Sequence, residues 1–170
     1  FRVDANSTLA DASVVSRSRN FYGVLTVYDV DARRPDARRL LHYSGIAHGL
    51  QFHRADLRRV PTTYYGTESG VGLAMRSLPA GTPRRVGLVG LGVGTLAAYA
   101  RPGDVFRAYD INPDVVRLAR TDFTFLSDSP VPVDVVIADA RLALEAEAPN
   151  DYDVLAVDAF SGDAIPVHLL

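Results

Sequence analysis

The amino-acid sequence predicts an α/β fold in which a parallel sheet follows a small antiparallel β domain. Between residues 86 and 160, apolar runs alternate with amphipathic segments, which is the pattern of parallel strands joined by helices. The first of these runs ends in a glycine-rich turn, and each later run carries an aspartate at or near its end. Before residue 61, β-branched and aromatic residues alternate with polar ones, as they do in antiparallel strands.

The N-terminal part divides into a lead-in and a small β domain. Residues 1–19 are rich in Ala, Asp and Ser and show no clear period, so we expect a loose lead-in there. Residues 20–60 are expected to form the antiparallel β domain. It contains a strand over Phe21–Val30 and, after a polar turn with a proline, a hairpin over Leu40–Phe52.

Residues 61–170 are expected to form the domain that holds the parallel sheet. Apolar residues at helical spacing first predict a helix that ends near Leu78. Apolar runs typical of strands buried on both faces follow at residues 86–90, 106–110, 133–139 and 152–160. Helices are predicted between them, over TLAAYA (residues 95–100), from Asn112-Pro113 onward and over ARLALEAEA (residues 140–148).

Glycines and aspartates at the ends of these strands indicate a ligand site. They are Gly90, Gly92 and Gly94 after the first strand, and Asp110, Asp139 and Asp158 at the next three. Ligands of open parallel sheets bind outside the carboxyl ends of the strands, where the strand order reverses. With the order 3-2-1-4, this point lies between the first and fourth strands. Four adjacent strand ends span roughly 15 Å, about the length of a nucleoside with a tail.

Each of these residues has a chemical use in such a site. The glycines allow a tight turn and a close approach of the backbone to a ligand. Asp110 can accept hydrogen bonds from ribose hydroxyls, and Asp139 can accept one from an adenine amino group. Asp158 follows an apolar run, where burial raises a carboxyl pKa toward that of a general base.

A structural role remains open for the same positions. The glycines could form no more than a strand-to-helix turn, and Asp110 or Asp139 could cap the helix that follows it. The pattern G-x-G-x-x-A over residues 92–97 fits both nicotinamide cofactors and S-adenosylmethionine. The aspartates of the third and fourth strands, and the β segment ahead of the glycines, favour a Rossmann-like domain for S-adenosylmethionine.

Composition excludes several classes of chemistry. The chain has no Cys and no Lys, and all 18 of its basic residues are Arg, so thiolate sites, Schiff bases and a P-loop lysine are ruled out. No metal site is expected, since the four histidines lack zinc-ligand spacing. A net charge of −2 gives no drive toward nucleic acid. No apolar run is long enough to span a membrane, and no signal peptide is visible.

Four stretches of the sequence resemble the spermidine synthases (polyamine aminopropyltransferases), a family with the class I S-adenosylmethionine-dependent methyltransferase-like fold. They read LVGLGVGTLAAYA, YDINPDVVRLAR, ADARLAL and YDVLAVDAFSGDAIPVHLL, within a resemblance that covers roughly residues 20–170. The last stretch is most similar to the spermidine-synthase-like domains that are fused to membrane-spanning segments in bacteria. The resemblance therefore implies a cytoplasmic protein or the cytoplasmic domain of a membrane protein.

The resemblance implies a transferase that moves an aminopropyl group from decarboxylated S-adenosylmethionine to an amine such as putrescine. For the donor, it implies that Asp110 and Ile111 hold the ribose side, that Asp139 and Ala140 hold the adenine side, and that Gln51 of the β domain faces the site. For the reaction, it implies that Asp158 is the general base. For the acceptor, it implies that Tyr64, Ser161 and Asp163 are the binding residues.

Three departures from the family pattern affect the amine-binding part of the expected site and leave its adenosine part intact. Val93 stands where the family carries an aspartate that binds the donor's amine. The run Tyr64-Tyr65-Gly66 lacks the usual glutamate, and Ser161 replaces a second aspartate. Two alternatives therefore stay open: a methyltransferase that uses ordinary S-adenosylmethionine, and a non-catalytic nucleoside-binding domain of a membrane protein.

The fourth strand is expected to need a cover. Folds of this class continue with further strands, and without them the strand would be a bare apolar edge. We expect that the natural chain continues beyond residue 170, or that a second copy in a homodimer covers the edge.

Overall fold

The computed structural model describes residues 11–43 and 45–159, which form two four-stranded sheets. The first sheet is an antiparallel meander in the order β1-β2-β3-β4. Its strands are β1 (Ala12–Asn20), β2 (Gly23–Val30), β3 (Arg38–Tyr43) and β4 (Ile46–Phe52).

The second sheet is parallel and has the order β7-β6-β5-β8, which is the order 3-2-1-4 assumed in the sequence analysis, and it confirms the α/β fold class. Its strands are β5 (Arg85–Val89), β6 (Val105–Asp110), β7 (Val133–Ile137) and β8 (Val154–Val157). The helices are α1 (Gly70–Ser77), α2 (Pro113–Thr121) and α3 (Ala140–Ala146), with 3₁₀ helices over Thr63–Tyr65 and Thr95–Tyr99. No helix of the described ranges has the length and apolar character that crossing a bilayer requires.

Strand β1 occupies residues 12–19 of the segment expected to be a loose lead-in. Side chains that alternate along this strand bond to α2 and to its flanking residues. Ser16 donates to Asp122 at 2.5 Å, Ser18 donates to Asp114 at 2.7 Å, and Asn20 donates to Asn112 at 2.7 Å. The side chains of β1 that face α2 are polar, so the sequence of β1 lacks the apolar alternation from which a strand is predicted.

The segment TLAAYA, predicted as a helix, forms a 3₁₀ helix over Thr95–Tyr99 and not a regular α-helix. It begins after Gly94, which has a φ of 83°. Pro102 lies shortly beyond its end, and a proline disfavours helical backbone in the residue before it. The segment is therefore bounded on both sides by residues that disfavour continued helical backbone.

The two sheets share a hydrophobic core. One buried cluster contains Leu25, Val27 and Leu41 of the antiparallel sheet together with Val86, Leu88, Phe106 and Ala108 of the parallel sheet. Strand β4 lies close to the glycine-rich turn, since a Cβ on Gly49 would lie 2.5 Å from Cγ2 of Val93. The antiparallel sheet therefore packs directly on the turn that follows β5.

A buried ion pair joins β5 to the connection that precedes β6. The side chains of Arg84 and Asp104 are 3% and 1% exposed, and their closest N···O distance is 2.5 Å. Arg84 also donates to the backbone carbonyls of Met75 and Tyr99. The pair is therefore fully hydrogen-bonded within the core, next to the end of α1.

Strand β8 lies at one edge of the parallel sheet. Its side chains Leu155 and Val157 are 43% and 53% exposed. The expectation that a further segment or a second copy covers this edge stays a prediction.

Candidate active site

A cavity of about 370 Å³ lies at the carboxyl ends of the parallel strands, which is within the size range of small-molecule sites. Its other side is formed by the antiparallel sheet and the 3₁₀ helix Thr63–Tyr65. Most of the residues that the sequence singled out lie on it. These are Gly90, Gly92, Asp110, Ile111, Asp139, Ala140, Asp158 and Tyr64.

The turn after β5 brings the first and fourth strands into contact. Gly90 has a φ of 91°, and a Cβ there would overlap the backbone carbonyl oxygen of Asp158. The Asp158 amide donates to the Val89 carbonyl at 2.8 Å. Gly90 therefore has a structural role that also fixes the backbone of Asp158.

Gly90→Ala is expected to lower the free energy of unfolding by more than the cost of placing alanine at a positive φ. Gly81→Ala is the matched control, because Gly81 has a φ of 80° but nothing lies within 4 Å of its Cβ position. The control should cost about 1–2 kcal/mol in the free energy of unfolding. Gly90→Ala should cost measurably more in urea denaturation, and equal losses would contradict the close packing against Asp158.

Gly94 does not line the cavity. Its φ of 83° starts the 3₁₀ helix Thr95–Tyr99, and a Cβ there would lie 2.8 Å from Leu126. Gly92, in contrast, lies on the cavity and has a φ of 55°. Of the three glycines, Gly94 has the purely structural role that the sequence left open.

Asp110 ends β6 with both carboxylate oxygens engaged by backbone amides. Leu91 N donates to Oδ2 at 2.9 Å, and Asn112 N donates to Oδ1 at 2.9 Å. Burial raises the pKa of Asp110, and these two bonds partly offset the rise. A carboxylate oxygen has further lone pairs, so Asp110 can still accept hydrogen bonds from a vicinal diol. Ile111 beside it is 42% exposed and gives the cavity an apolar edge.

Asp139 both caps a helix and lines the cavity. Its Oδ1 accepts a hydrogen bond from Leu142 N at 3.1 Å, which satisfies a free amide at the start of α3. Ala140 follows as a buried residue on the same wall. Asp139 therefore has the capping role that the sequence left open, and it also lies at the cavity as expected.

Asp158 follows β8 and meets two tyrosines from the opposite side of the cavity. The Tyr65 hydroxyl donates to Asp158 Oδ2 at 2.6 Å. The Tyr64 and Tyr65 rings lie 4.9 Å apart, and Tyr64 is 45% exposed whereas Tyr65 is buried. Burial raises the pKa of Asp158 above its usual value, and hydrogen bonds from Tyr65 and Tyr64 partly offset that rise. A carboxylate with a raised pKa, at a cavity, has the properties of a general base.

Gln51 is not among the residues that line the cavity, contrary to the sequence expectation. Its amide nitrogen donates to the Arg58 carbonyl and to the Thr124 hydroxyl, both at 2.9 Å. Its carbonyl oxygen accepts from Thr124 N at 2.9 Å. The side chain is buried and ties β4 to the segment after α2, so its hydrogen-bonding groups are used in the fold.

Val93 is 1% exposed and belongs to the core that the two sheets share. It packs against Gly49 and does not line the cavity. Ser161 and Asp163, the other expected acceptor residues, lie outside the described residues.

Five cavity residues of the antiparallel sheet and its first turn were not among the predicted site residues: Tyr22, Leu25, Leu41, Tyr43 and His48. His48 is the extra residue of a bulge, because Leu41 pairs with Gly49 while His42 pairs with Ala47. A glycine inside a strand, such as Gly49, is a signal for a bulge. Burial lowers the pKa of His48, with a smaller contribution from the nearby charge of His42. His48 is therefore mainly neutral near pH 7.

Among residues 11–43 and 45–159, no group of three or more His, Cys, Asp or Glu side chains is placed to hold a metal ion. The carboxylates of Asp110 and Asp139 can instead accept hydrogen bonds from a ligand in the cavity, and that of Asp158 can take up a proton.

Comparison with known proteins finds similarity in structure alone. No family model matches the sequence, and no curated protein matches it. A probable spermidine synthase from Corynebacterium glutamicum superposes with a TM-score of 0.66 at 20% identity, over 91% of this chain and 54% of that one. Spermidine synthase from Thermotoga maritima superposes with a TM-score of 0.62 at 16% identity, over 92% of this chain and 49% of that one. The chain therefore has the fold of these spermidine synthases and spans about half of their length.

Proposed function

We propose that this protein is an aminopropyltransferase that uses decarboxylated S-adenosylmethionine and an amine acceptor. The observation that carries the proposal is the position of Asp158, with a raised pKa, at the same cavity as Asp110 and Asp139. The fold of the two spermidine synthases supports it. So does the antiparallel sheet, which closes the cavity from the side opposite the strand ends.

The cavity residues suit the adenosyl part of the donor. Asp110 offers acceptor lone pairs for the ribose hydroxyls, and Ile111 offers an apolar edge for the base. Asp139 and Ala140 lie at the neighbouring strand end, where an adenine amino group would find an acceptor.

In the proposed reaction, a neutral primary amine attacks the carbon next to the sulfonium. A C–N bond forms, the C–S bond breaks, and the sulfur keeps the electron pair as methylthioadenosine leaves. The proton lost by the amine goes to the Asp158 carboxylate. Because a sulfonium is already a good leaving group, the protein contributes mainly by orienting the partners and by keeping the amine deprotonated.

The direct test is an assay of the full-length protein with decarboxylated S-adenosylmethionine and a panel of primary amines. Release of methylthioadenosine, together with an amine that gains one aminopropyl group, is the expected result. Formation of a methylated product from ordinary S-adenosylmethionine would support a methyltransferase instead. No product from either donor would indicate a non-catalytic nucleoside-binding domain.

A methyltransferase is the second candidate because of Val93. Position 93 is a buried valine, so it offers no carboxylate to bind the donor's amine. Calorimetric titration with both donors separates the candidates: tighter binding of the decarboxylated form supports the aminopropyltransferase, and tighter binding of the carboxylated form supports the methyltransferase.

Tyr65→Phe is expected to move the acid limb of the pH profile of kcat/KM to higher pH. The Tyr65 hydroxyl stabilises ionised Asp158, so its removal raises the pKa of the base further. The active, deprotonated fraction at a given acidic pH then falls. Tyr28→Phe, a change on β2 away from the cavity, is the control and should leave the profile in place. An unshifted profile in Tyr65→Phe would argue against Asp158 as the titrating base.

A further inference from the structure

Two consecutive tyrosines reach the same end of the cavity because the chain turns sharply before them. The 3₁₀ helix Thr63–Tyr65 carries Tyr64 and Tyr65, whose rings lie 4.9 Å apart. The Tyr65 hydroxyl donates to Asp158 Oδ2 at 2.6 Å, and Tyr64 lines the cavity together with Asp158. Neighbouring side chains of an extended strand would point to opposite faces. The turn is therefore what brings both phenols to the side of Asp158.

The backbone of this turn is strained at Thr63. Thr63 has a φ of 57°, which lies in the left-handed region, where the branched side chain of threonine is disfavoured. Such a conformation persists only where the surrounding structure holds it, and strained residues of this kind cluster at functional sites. The contacts on either side of Thr63 are therefore the ones that fix the direction of the Tyr65 side chain.

Hydrogen bonds hold the turn at both of its ends. At the start, the Thr62 hydroxyl donates to the Leu50 carbonyl of β4 at 2.5 Å, and Tyr65 N donates to the Thr62 carbonyl at 3.1 Å. At the end, the Tyr99 hydroxyl donates to the Tyr65 carbonyl at 2.6 Å. The Tyr99 carbonyl in turn accepts from the buried Arg84 side chain at 2.7 Å. Tyr99 therefore ties the turn to the buried ion pair of the core.

We propose that Tyr99 is a positioning residue for Asp158 and acts through Tyr65. This inference rests on the proposed function, in which Asp158 is the general base. Tyr99 does not line the cavity, but its hydroxyl fixes the Tyr65 backbone. The Tyr65 phenol is thereby held at hydrogen-bond distance from Asp158, and this bond stabilises the ionised carboxylate. Without the Tyr99 hydroxyl the strained turn relaxes, the bond to Asp158 weakens, and the carboxylate becomes harder to ionise.

The titratable neighbours of Asp158 are the same in the wild type and in a Tyr99 variant. In the described part of the chain, the groups that hydrogen-bond to Asp158 are Tyr64 and Tyr65, and burial and the charge of Asp158 raise the pKa of both phenols. The other titratable residues that line the described cavity are Tyr22, Tyr43, His48, Tyr109, Asp110 and Asp139. Since none of them is changed, a difference in the titration of Asp158 reports on the loss of the Tyr99 hydroxyl.

The test is a pH titration of Asp158 in the full-length protein without ligand, followed by NMR of its carboxyl carbon and assigned by the loss of that signal in Asp158→Asn. Tyr99→Phe should raise the pKa of Asp158 by about 0.5, a fraction of what the complete loss of a hydrogen bond to a charged group produces. Tyr65→Phe, which removes the bond itself, should raise it further. Tyr152→Phe is the matched control, because its hydroxyl is bonded to that of Tyr109 and not to the turn. An unchanged pKa in Tyr99→Phe, with the fold verified by circular dichroism, would overturn the positioning role.

A second variant tests whether Tyr99 acts against the strain at Thr63. Asparagine adopts the left-handed region more readily than threonine, so Thr63→Asn should relieve the strain and keep the turn. In that background, Tyr99→Phe should raise the pKa of Asp158 by clearly less than it does with Thr63 in place. An equal rise in both backgrounds would overturn the coupling through the strained turn.

The titration needs no substrate and so separates this inference from the proposed function. In Tyr99→Phe, the acid limb of kcat/KM for methylthioadenosine release should move to higher pH by the same amount as the pKa of Asp158. A shifted titration in a protein that forms no product would support the positioning role and overturn aminopropyl transfer. A shifted acid limb with an unshifted titration of Asp158 would overturn the positioning role and leave aminopropyl transfer intact.

Discussion

Asp158→Asn is expected to lower kcat/KM for aminopropyl transfer by about 10²–10⁴-fold, the range that a general base contributes. The amide cannot take a proton from the attacking amine, yet it has almost the same size and can still accept from Tyr65. The fold should therefore persist. Donor binding measured by calorimetry should change much less than the rate, since Asp110 and Asp139 are left in place.

The pH dependence of the wild-type protein gives a second measurement on the same group. Because burial raises the pKa of Asp158, its carboxyl is protonated over a wider acidic range than an exposed aspartate. Activity should rise with pH through this raised pKa, and that limb should be absent from the residual activity of Asp158→Asn. Asp56→Asn, at an exposed carboxylate, is the control. Full activity in Asp158→Asn would remove Asp158 from the mechanism.

Arg84→Met is expected to lower the free energy of unfolding by about 3–5 kcal/mol, the cost of leaving a buried charge without its partner. Arg84 and Asp104 are both buried, and the arginine also satisfies two backbone carbonyls. Urea denaturation measures the loss. Arg76→Met is the matched control, since its ion pair with Glu68 is exposed and should contribute less than about 1 kcal/mol.

The pH dependence of the free energy of unfolding distinguishes the loss of Asp104's partner from a general packing defect. In the wild type, burial opposes ionisation of Asp104, but hydrogen bonds from Arg84 and from the Arg101 amide outweigh it and lower the pKa. The contribution of Asp104 to stability is therefore present above the unfolded pKa near 3.9 and is lost as pH falls through the folded pKa. Without the Arg84 side chain, only the backbone amides of residues 84 and 101 still oppose burial, so the folded pKa of Asp104 rises relative to the wild type and the loss of stability at acidic pH should be smaller in the variant. A wild-type-like pH profile in Arg84→Met would contradict this account.

The parallel sheet could be predicted from the sequence because each of its strands carries its own signal. The continuous apolar runs locate the strands, and Asp110, Asp139 and Asp158 mark their carboxyl ends, which the topology then brings to one cavity. A local signal of this kind depends only on the strand itself. The start of α2, predicted at Asn112-Pro113, is also a local signal, and the Asn112 side chain accepts a hydrogen bond from the Asp114 amide there.

The features that could not be predicted depend on contacts between distant segments. Strand β1 is held by polar bonds to α2, so its own pattern is uninformative. His48 reaches the cavity through a bulge, which changes the side that each later residue faces. Gln51 has a polar side chain that suits a ligand, but its amide nitrogen is already hydrogen-bonded to Arg58 and Thr124. For β1 and Gln51 the deciding partners, α2 and Thr124, lie far along the chain.

The core that the two sheets share has a consequence for how the protein melts. Since Leu25, Val27 and Leu41 are buried together with Val86 and Phe106, neither sheet can open without exposing apolar surface of the other. Heating should then produce one calorimetric transition, with equal calorimetric and van't Hoff enthalpies. An adenosine analogue that binds between the sheets should raise the midpoint of that transition as a whole and should not split it into two.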